Sequence, residues 1–298
     1  MTRLTTIVSI KKYVRVLFIV SLASVITTAC ANSQVRAGKG SAEPAAEPDK
    51  QLILASEVKW EKLNPARGDS SPQAATLWGD RKGTVPTGFL ARFVDGFSSP
   101  PHIHNATYRA VVISGLILND DPDAAHMWMP VGSFWTQPKG EVHITAARGA
   151  TNIALVEIDK GPYLVMPTAE AFDSGERPVN VDASNIVWVD LPDKLTSAEG
   201  VKVAYLWGHL ADGQSNGRFI KLPAGFNGKI HSQASVFRAV VIAGQAKYLS
   251  DTEKLLNPGS YFGSTGKAVH SIASSEAGQT IIYIRTDGTY DVIPASRN

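Results

Sequence analysis

A chain that repeats itself is restricted in fold more tightly than composition alone can restrict it, because what one copy forms the other must form too. Ser56-Glu57-Val58-Lys59-Trp60 returns as Ser184-Asn185-Ile186-Val187-Trp188, and Leu77-Trp78-Gly79 returns as Leu206-Trp207-Gly208. The run Tyr108-Arg109-Ala110-Val111-Val112-Ile113-Ser114-Gly115 returns as Phe237-Arg238-Ala239-Val240-Val241-Ile242-Ala243-Gly244. Gly132-Ser133-Phe134-Trp135 and Val142-His143 return as Gly259-Ser260-Tyr261-Phe262 and Val269-His270, and Gly161, Tyr163 and Pro167 match Gly288, Tyr290 and Pro294. The spacing stays between 127 and 129 residues throughout. The chain is therefore a tandem duplication, with one copy expected over 51–175 and the other over 176–298. Their boundary falls in the polar stretch 173–182.

Each copy reads as strands. Short runs rich in Val, Ile, Phe, Tyr and Thr, such as 89–94, 108–113, 152–158 and 280–285, alternate with Gly, Pro, Asn and Asp. No segment sustains a helical period for long. Many short strands with such turns imply an all-β sandwich or barrel.

The first thirty residues have a different character. Lys11, Lys12 and Arg15 precede Val16–Ile26, a largely apolar run too short to span a bilayer but suited to an export signal. Cys30, the single cysteine, sits where a lipoprotein signal places its lipidated residue, although Ala29-Cys30-Ala31 also offers an ordinary cleavage site. Residues 1–30 are thus expected to be a signal peptide, and 31–50, poor in large apolar side chains, a flexible linker. The protein is expected in the periplasm or at the outer membrane, held to a membrane only through Cys30. Without residues 1–30 the formal charge falls from +2 to about −2, since Arg3, Lys11, Lys12 and Arg15 leave and no acid does. A basic footprint for nucleic acid is absent.

Four of the seven histidines occupy repeat-related positions. His102 and His104 stand two apart, so a strand puts both imidazoles on one face. His143 follows on a later strand, after a turn at Gly140. Three imidazoles so placed can converge on one ion, and the alternative is a metal-free pocket lined by the same rings. In the second copy His231-Ser232-Gln233 aligns with His102-Ile103-His104, and His270 with His143. The set His231, Gln233 and His270 reads as a weaker second site, or as a hydrogen-bonded polar pocket.

His102-x-His104 followed by Gly115, then Pro130-x-Gly132 and His143, resembles the two motifs of the cupin superfamily. The duplication is similar to bicupins, particularly the ChrR-like cupins of unknown function. The resemblance covers roughly residues 56 to 296 and implies two tandem double-stranded β-helix (jelly-roll) barrels. It implies a three-histidine ligand set, as in cupin dioxygenases that hold iron. Cupins usually carry a Glu four or five residues after the second His, where this chain has Tyr108 and Arg109. These two are the candidate catalytic residues: Tyr108 as a hydrogen-bond partner for an oxygen ligand, Arg109 as an anion clamp or a structural pair at the barrel wall. Glu141 is a further candidate near the ion, or simply a turn residue.

Iron, zinc, manganese and copper all suit such a site. The expected activity is a metal-dependent dioxygenase acting on a small organic substrate. The alternatives are an envelope module that binds an anion or carbohydrate, and a metal sensor. A homodimer is compatible with each. Gly213-Gln214-Ser215-Asn216-Gly217 matches G-x-S-x-G but lacks the strand and helix an elbow needs, and reads as a polar turn.

Overall fold

Both copies fold into antiparallel strands. The computed structural model describes residues 49–191, 200–211 and 213–295, so the expected export signal and nearly all of the expected linker lie outside the described residues. Asp49 and Lys50, taken as linker, begin the first strand, Asp49–Ile53.

One seven-stranded sheet runs, edge to edge, Val179–Val181, Phe134–Gln137, Tyr108–Asp120, Ile144–Ile158, Thr87–Phe93, Gln73–Trp78 and Glu61–Lys62. The other runs Asp49–Ile53, Tyr261–Thr265, Val236–Ala243, Thr280–Thr286, Asn216–Leu222, Lys202–Gly208 and Val189–Asp190. The two orders are repeat images of each other except at one edge, where strands are exchanged. Asp49–Ile53 pairs with Tyr261–Thr265 of the second copy, and Val179–Val181 pairs with Phe134–Gln137 of the first. The expected boundary at 175/176 is therefore not a seam in space. Each copy lends its first strand to the other's sheet, and both copies fall in one compact unit.

The second, smaller sheet of each barrel differs between copies. In copy two it is five-stranded, from Lys254–Leu256 through Ala246–Tyr248, Ala268–Ser274 and Asn227–Ser232 to Tyr290–Pro294. In copy one the long strands Tyr108–Asp120 and Ile144–Ile158 bend through irregular register to supply two of its members. The rest is reduced to Ile103–His104 paired with Val165–Met166 and to isolated bridges, among them His102 with His143.

Alternation along the central strands explains why Tyr108–Ile113 and Phe237–Ile242 are apolar almost without a break. Tyr108, Ala110 and Val112 face the interior of the first barrel, with Phe89, Trp135 and Val156. Val111 and Ile113 face the other way, into a core shared with Val240, Ile242, Phe219, Tyr261 and Tyr283 of the second copy. A sheet covered on both faces needs no polar side.

Trp78 and Trp207, alike in both copies, serve this seam. Each indole lies on a glycine of the next strand: a Cβ on Gly88 would stand 2.1 Å from Trp78, and one on Gly217 1.9 Å from Trp207. Gly88→Ala should consequently destabilise the protein by about 1–3 kcal/mol through overpacking. Thermal denaturation checks this, and an unchanged melting temperature would mean that Trp78 has room to move.

Candidate metal centre

His102 and His143 are locked opposite each other by two backbone hydrogen bonds, each 3.0 Å, from the amide of one to the carbonyl of the other. His104 lies two residues on, in the short strand paired with Val165–Met166, while Ile103 between them turns into the core. The chain returns to His143 through the turn at Gly140, whose φ is +77°. Its amide donates to the His104 carbonyl at 2.8 Å, and a Cβ there would stand 2.5 Å from the Phe172 carbonyl oxygen. Glycine is required at this position.

These constraints bring the three imidazoles together. One ring nitrogen from each lies within 4.8 Å of the others, and the ring centroids are 4.3–5.1 Å apart. His104 and His143 are buried and His102 is half-buried. The outer nitrogens are all engaged by backbone: Nδ1–H of His102 donates to Pro100 O at 2.9 Å, that of His104 to Leu164 O at 2.8 Å, and that of His143 to Glu141 O at 3.3 Å. Each bond fixes the tautomer that leaves the Nε2 lone pair free, as metal-bound histidines require.

Burial opposes protonation at all three. It lowers the pKa of His102, drives His104 to about 3 with help from His102, and takes His143 well below the ordinary value. Three neutral imidazoles with converging Nε2 atoms fit a divalent transition metal.

Tyr108 belongs to the site. Its hydroxyl lies 3.4 Å from His143 Nε2 and donates to Asn119 Oδ1 at 2.7 Å. Asn119 is oriented by Gln137, which accepts from its amide at 2.9 Å, and by the Thr145 hydroxyl. Burial raises the Tyr108 phenol, which stays protonated.

Arg109, its neighbour on the strand, points to the opposite face. It pairs with Asp159 at 2.8 Å and lies 3.8 Å over the Trp207 ring, in the seam between the copies. The anion-clamp reading of Arg109 gives way to the structural one, because strand alternation cannot put both residues in the pocket. Glu141 contributes its backbone carbonyl and not its carboxylate.

Tyr163 was missed by sequence reasoning. Its ring stacks on His104 at 4.4 Å, and its hydroxyl donates to His104 Nε2 at 3.2 Å. Its place among the repeat-matched residues was the signal that could have found it.

The second expected set dissolves. Ile230, and not His231, pairs with His270, so Ile230 and Ser232 are the spatial counterparts of His102 and His104. The segment joining this strand to the next is one residue longer in copy two, and a one-residue slip turns every side chain to the other face. Gln233 is exposed. His270 keeps its place but spends both nitrogens on hydrogen bonds, Nδ1 with the Tyr248 hydroxyl at 2.9 Å and Nε2 with Ser264 Oγ at 3.1 Å. The G-x-S-x-G segment is a turn leading into the strand Asn216–Leu222.

Beside the triad lies a cavity of about 320 Å³, walled mainly by Phe89, Phe93, Phe97, Tyr108, Trp135 and Tyr163. Trp135 belongs both to the core of the first barrel and to the wall of this cavity.

The neutral triad also makes stability depend on pH. The folded-state pKa of His104 lies below its unfolded value of 6.5, so its contribution is complete above that pH and is lost as pH falls towards 3. In metal-free protein, going from pH 7 to pH 5 should cost about 2 kcal/mol more than in a His104→Leu variant. Urea denaturation at the two pH values measures this difference, and equal losses would refute it.

Comparison with known proteins agrees with this architecture. The fold is similar to that of a candidate dioxygenase from Nostoc punctiforme PCC 73102, at a TM-score of 0.63 and 11% identity, covering 84% of this chain and 87% of that one. It is also similar to salicylate 1,2-dioxygenase from Pseudoaminobacter salicylatoxidans, at 0.52 and 13%, covering 80% and 81%. Oxalate decarboxylase from Lactobacillus farciminis matches at 0.50 and 11%, covering 82% and 88%. At such identities the likeness establishes the cupin fold, in its two-barrel form, and nothing of the reaction. No curated protein matches the chain. A family model described as a domain of unknown function (DUF4437) matches residues 51–293, and the chain belongs to that family.

Proposed function

We propose that this protein is an exported, metal-dependent cupin enzyme, a mononuclear three-histidine dioxygenase of a small organic substrate. The observation that carries this reading is the joint arrangement of His102, His104 and His143: neutral, tied at Nδ1, and with unprotonated Nε2 atoms beside a cavity large enough for a substrate. His102, His104 and His143 hold the ion, with iron, zinc or manganese each matching the donor set. When bound, such an ion supplies Lewis acidity and, if it is iron or manganese, redox chemistry.

The chain's own residues shape the rest. Aromatic walls exclude water. Tyr108 keeps its proton on Asn119 Oδ1, so its oxygen is an acceptor towards the cavity. Tyr163, relieved of His104 Nε2 when that nitrogen binds an ion, becomes a donor to a nearby oxygen. Residues 1–30 direct export, Cys30 is the anchor, and the described part works in the periplasm or at the outer membrane, alone or as a homodimer.

Elemental analysis of the purified protein should find about one transition metal per chain, lost in His104→Ala and retained in His270→Ala. Iron would then lead to oxygen-consumption assays. Metal retained by His104→Ala, or absent from wild type after loading, would overturn the reading.

A further inference from the structure

The cavity has a chemical character that the triad alone does not dictate. Its walls are mainly apolar or aromatic: Phe89, Ala91 and Phe93 share one face of a strand, Val156 and Ala154 stand beside them on the next, and Phe97 adds to them. Among its lining residues the one formal charge is Arg67, which is exposed. Its guanidinium lies 5.0 Å over the Phe97 ring, with Nη2 3.5 Å from the Ser98 carbonyl. Tyr108 and Tyr163 are neutral phenols, and the histidines are neutral. An ionised carboxylate would lose its hydration here and find no buried cation from the protein to replace it.

Trp135 is 2% exposed and lines the cavity, with its indole against the Tyr108 phenol. The indole nitrogen itself is sealed from the cavity, so the wall offers a ligand no donor there.

We propose that the cavity takes an uncharged, largely apolar molecule of one or two rings. This rests on reading the cavity as the substrate site of the proposed enzyme. The charge of a bound ion acts on any ligand alike, so the wall selects the remainder of the molecule and selects against a second, free carboxylate. Copy two supports the assignment. At the positions of Ala91 and Ala154, which pair across two strands, it carries Ile220 and Ile282, and where Trp135 stands it carries Phe262. Copy two thus buries larger aliphatic side chains in its core where copy one has alanines.

The test is calorimetric titration of the metal-free full chain with phenol, benzoate and fluorobenzene. Phenol should bind at least about tenfold more tightly than benzoate. Fluorobenzene, uncharged as phenol is, should likewise bind more tightly than benzoate. Benzoate binding as well as phenol, or no binding of phenol or fluorobenzene at millimolar concentration, would each overturn the proposal. The titration contains no metal, so its failure leaves the metal reading standing. Failure of the metal analysis likewise leaves the titration interpretable.

Discussion

Everything in this molecule depends on the burial of both faces of its two large sheets. One face of each closes over its own barrel, and the other packs against its sister. Val111, Ile113, Phe134 and Leu155 of the first copy meet Phe219, Val240, Tyr261 and Tyr283 of the second across the seam. Neither sheet could expose that face to water without a large loss, since each fully buried side chain of this kind is worth about 1.5–3 kcal/mol. The exchange of Asp49–Ile53 and Val179–Val181 completes the interlock, because each barrel's outermost strand is covalently part of the other copy.

With the sheets held from outside, the barrel interiors are free to diverge. In copy two, isoleucines and aromatics fill the space, and His270 survives as a hydrogen-bonded core residue between Tyr248 and Ser264. In copy one, alanines leave the space open, Tyr108 replaces Phe237's apolar ring with a phenol, and the Asn119–Gln137–Thr145 group supports it from behind. A hollow barrel is less stable than a filled one. The well-buried core of the second barrel and the shared seam offset that cost, which makes the open pocket tolerable.

The sequence made much of this legible, and the failures have physical causes. The duplication, the strand content and the His102/His104/His143 grouping follow from residues whose spacing is rigidly tied to strand geometry. The strand exchange left no mark, because an edge strand pairs through backbone groups common to all residues. The second triad misled because similarity of letters placed His231 on His102, while the hydrogen-bond ladder opposes Ile230 to His270. Period-two alternation makes a one-residue error total. The same rule, applied to Tyr108 and Arg109, would have separated them at once. Tyr163 was hard to see as a site residue because it reaches His104 from an irregular segment 59 residues away, and only its repeat match to Tyr290 pointed at it.

The seam also contains a pairing that a symmetric pair of identical chains could not make. Glu157 stands opposite Gly88 in one sheet and Arg285 opposite Gly217 in the other, so the two are repeat-equivalent positions. They meet in the interior, 3.3 Å apart, with Tyr283 donating to Glu157 at 2.8 Å and Asp159 accepting from Arg285 at 2.8 Å. In a symmetric pair of identical chains this position would meet its own copy, and two like charges buried together would repel. Opposite charges at equivalent positions need two different sequences in one assembly. A buried pair of this kind adds little net stability over an apolar one, but losing either partner strands the other charge. It therefore acts as a register: it accepts the second copy in one orientation only, and so fixes the sheet whose inner face carries Tyr108 and the strand that leads from His143.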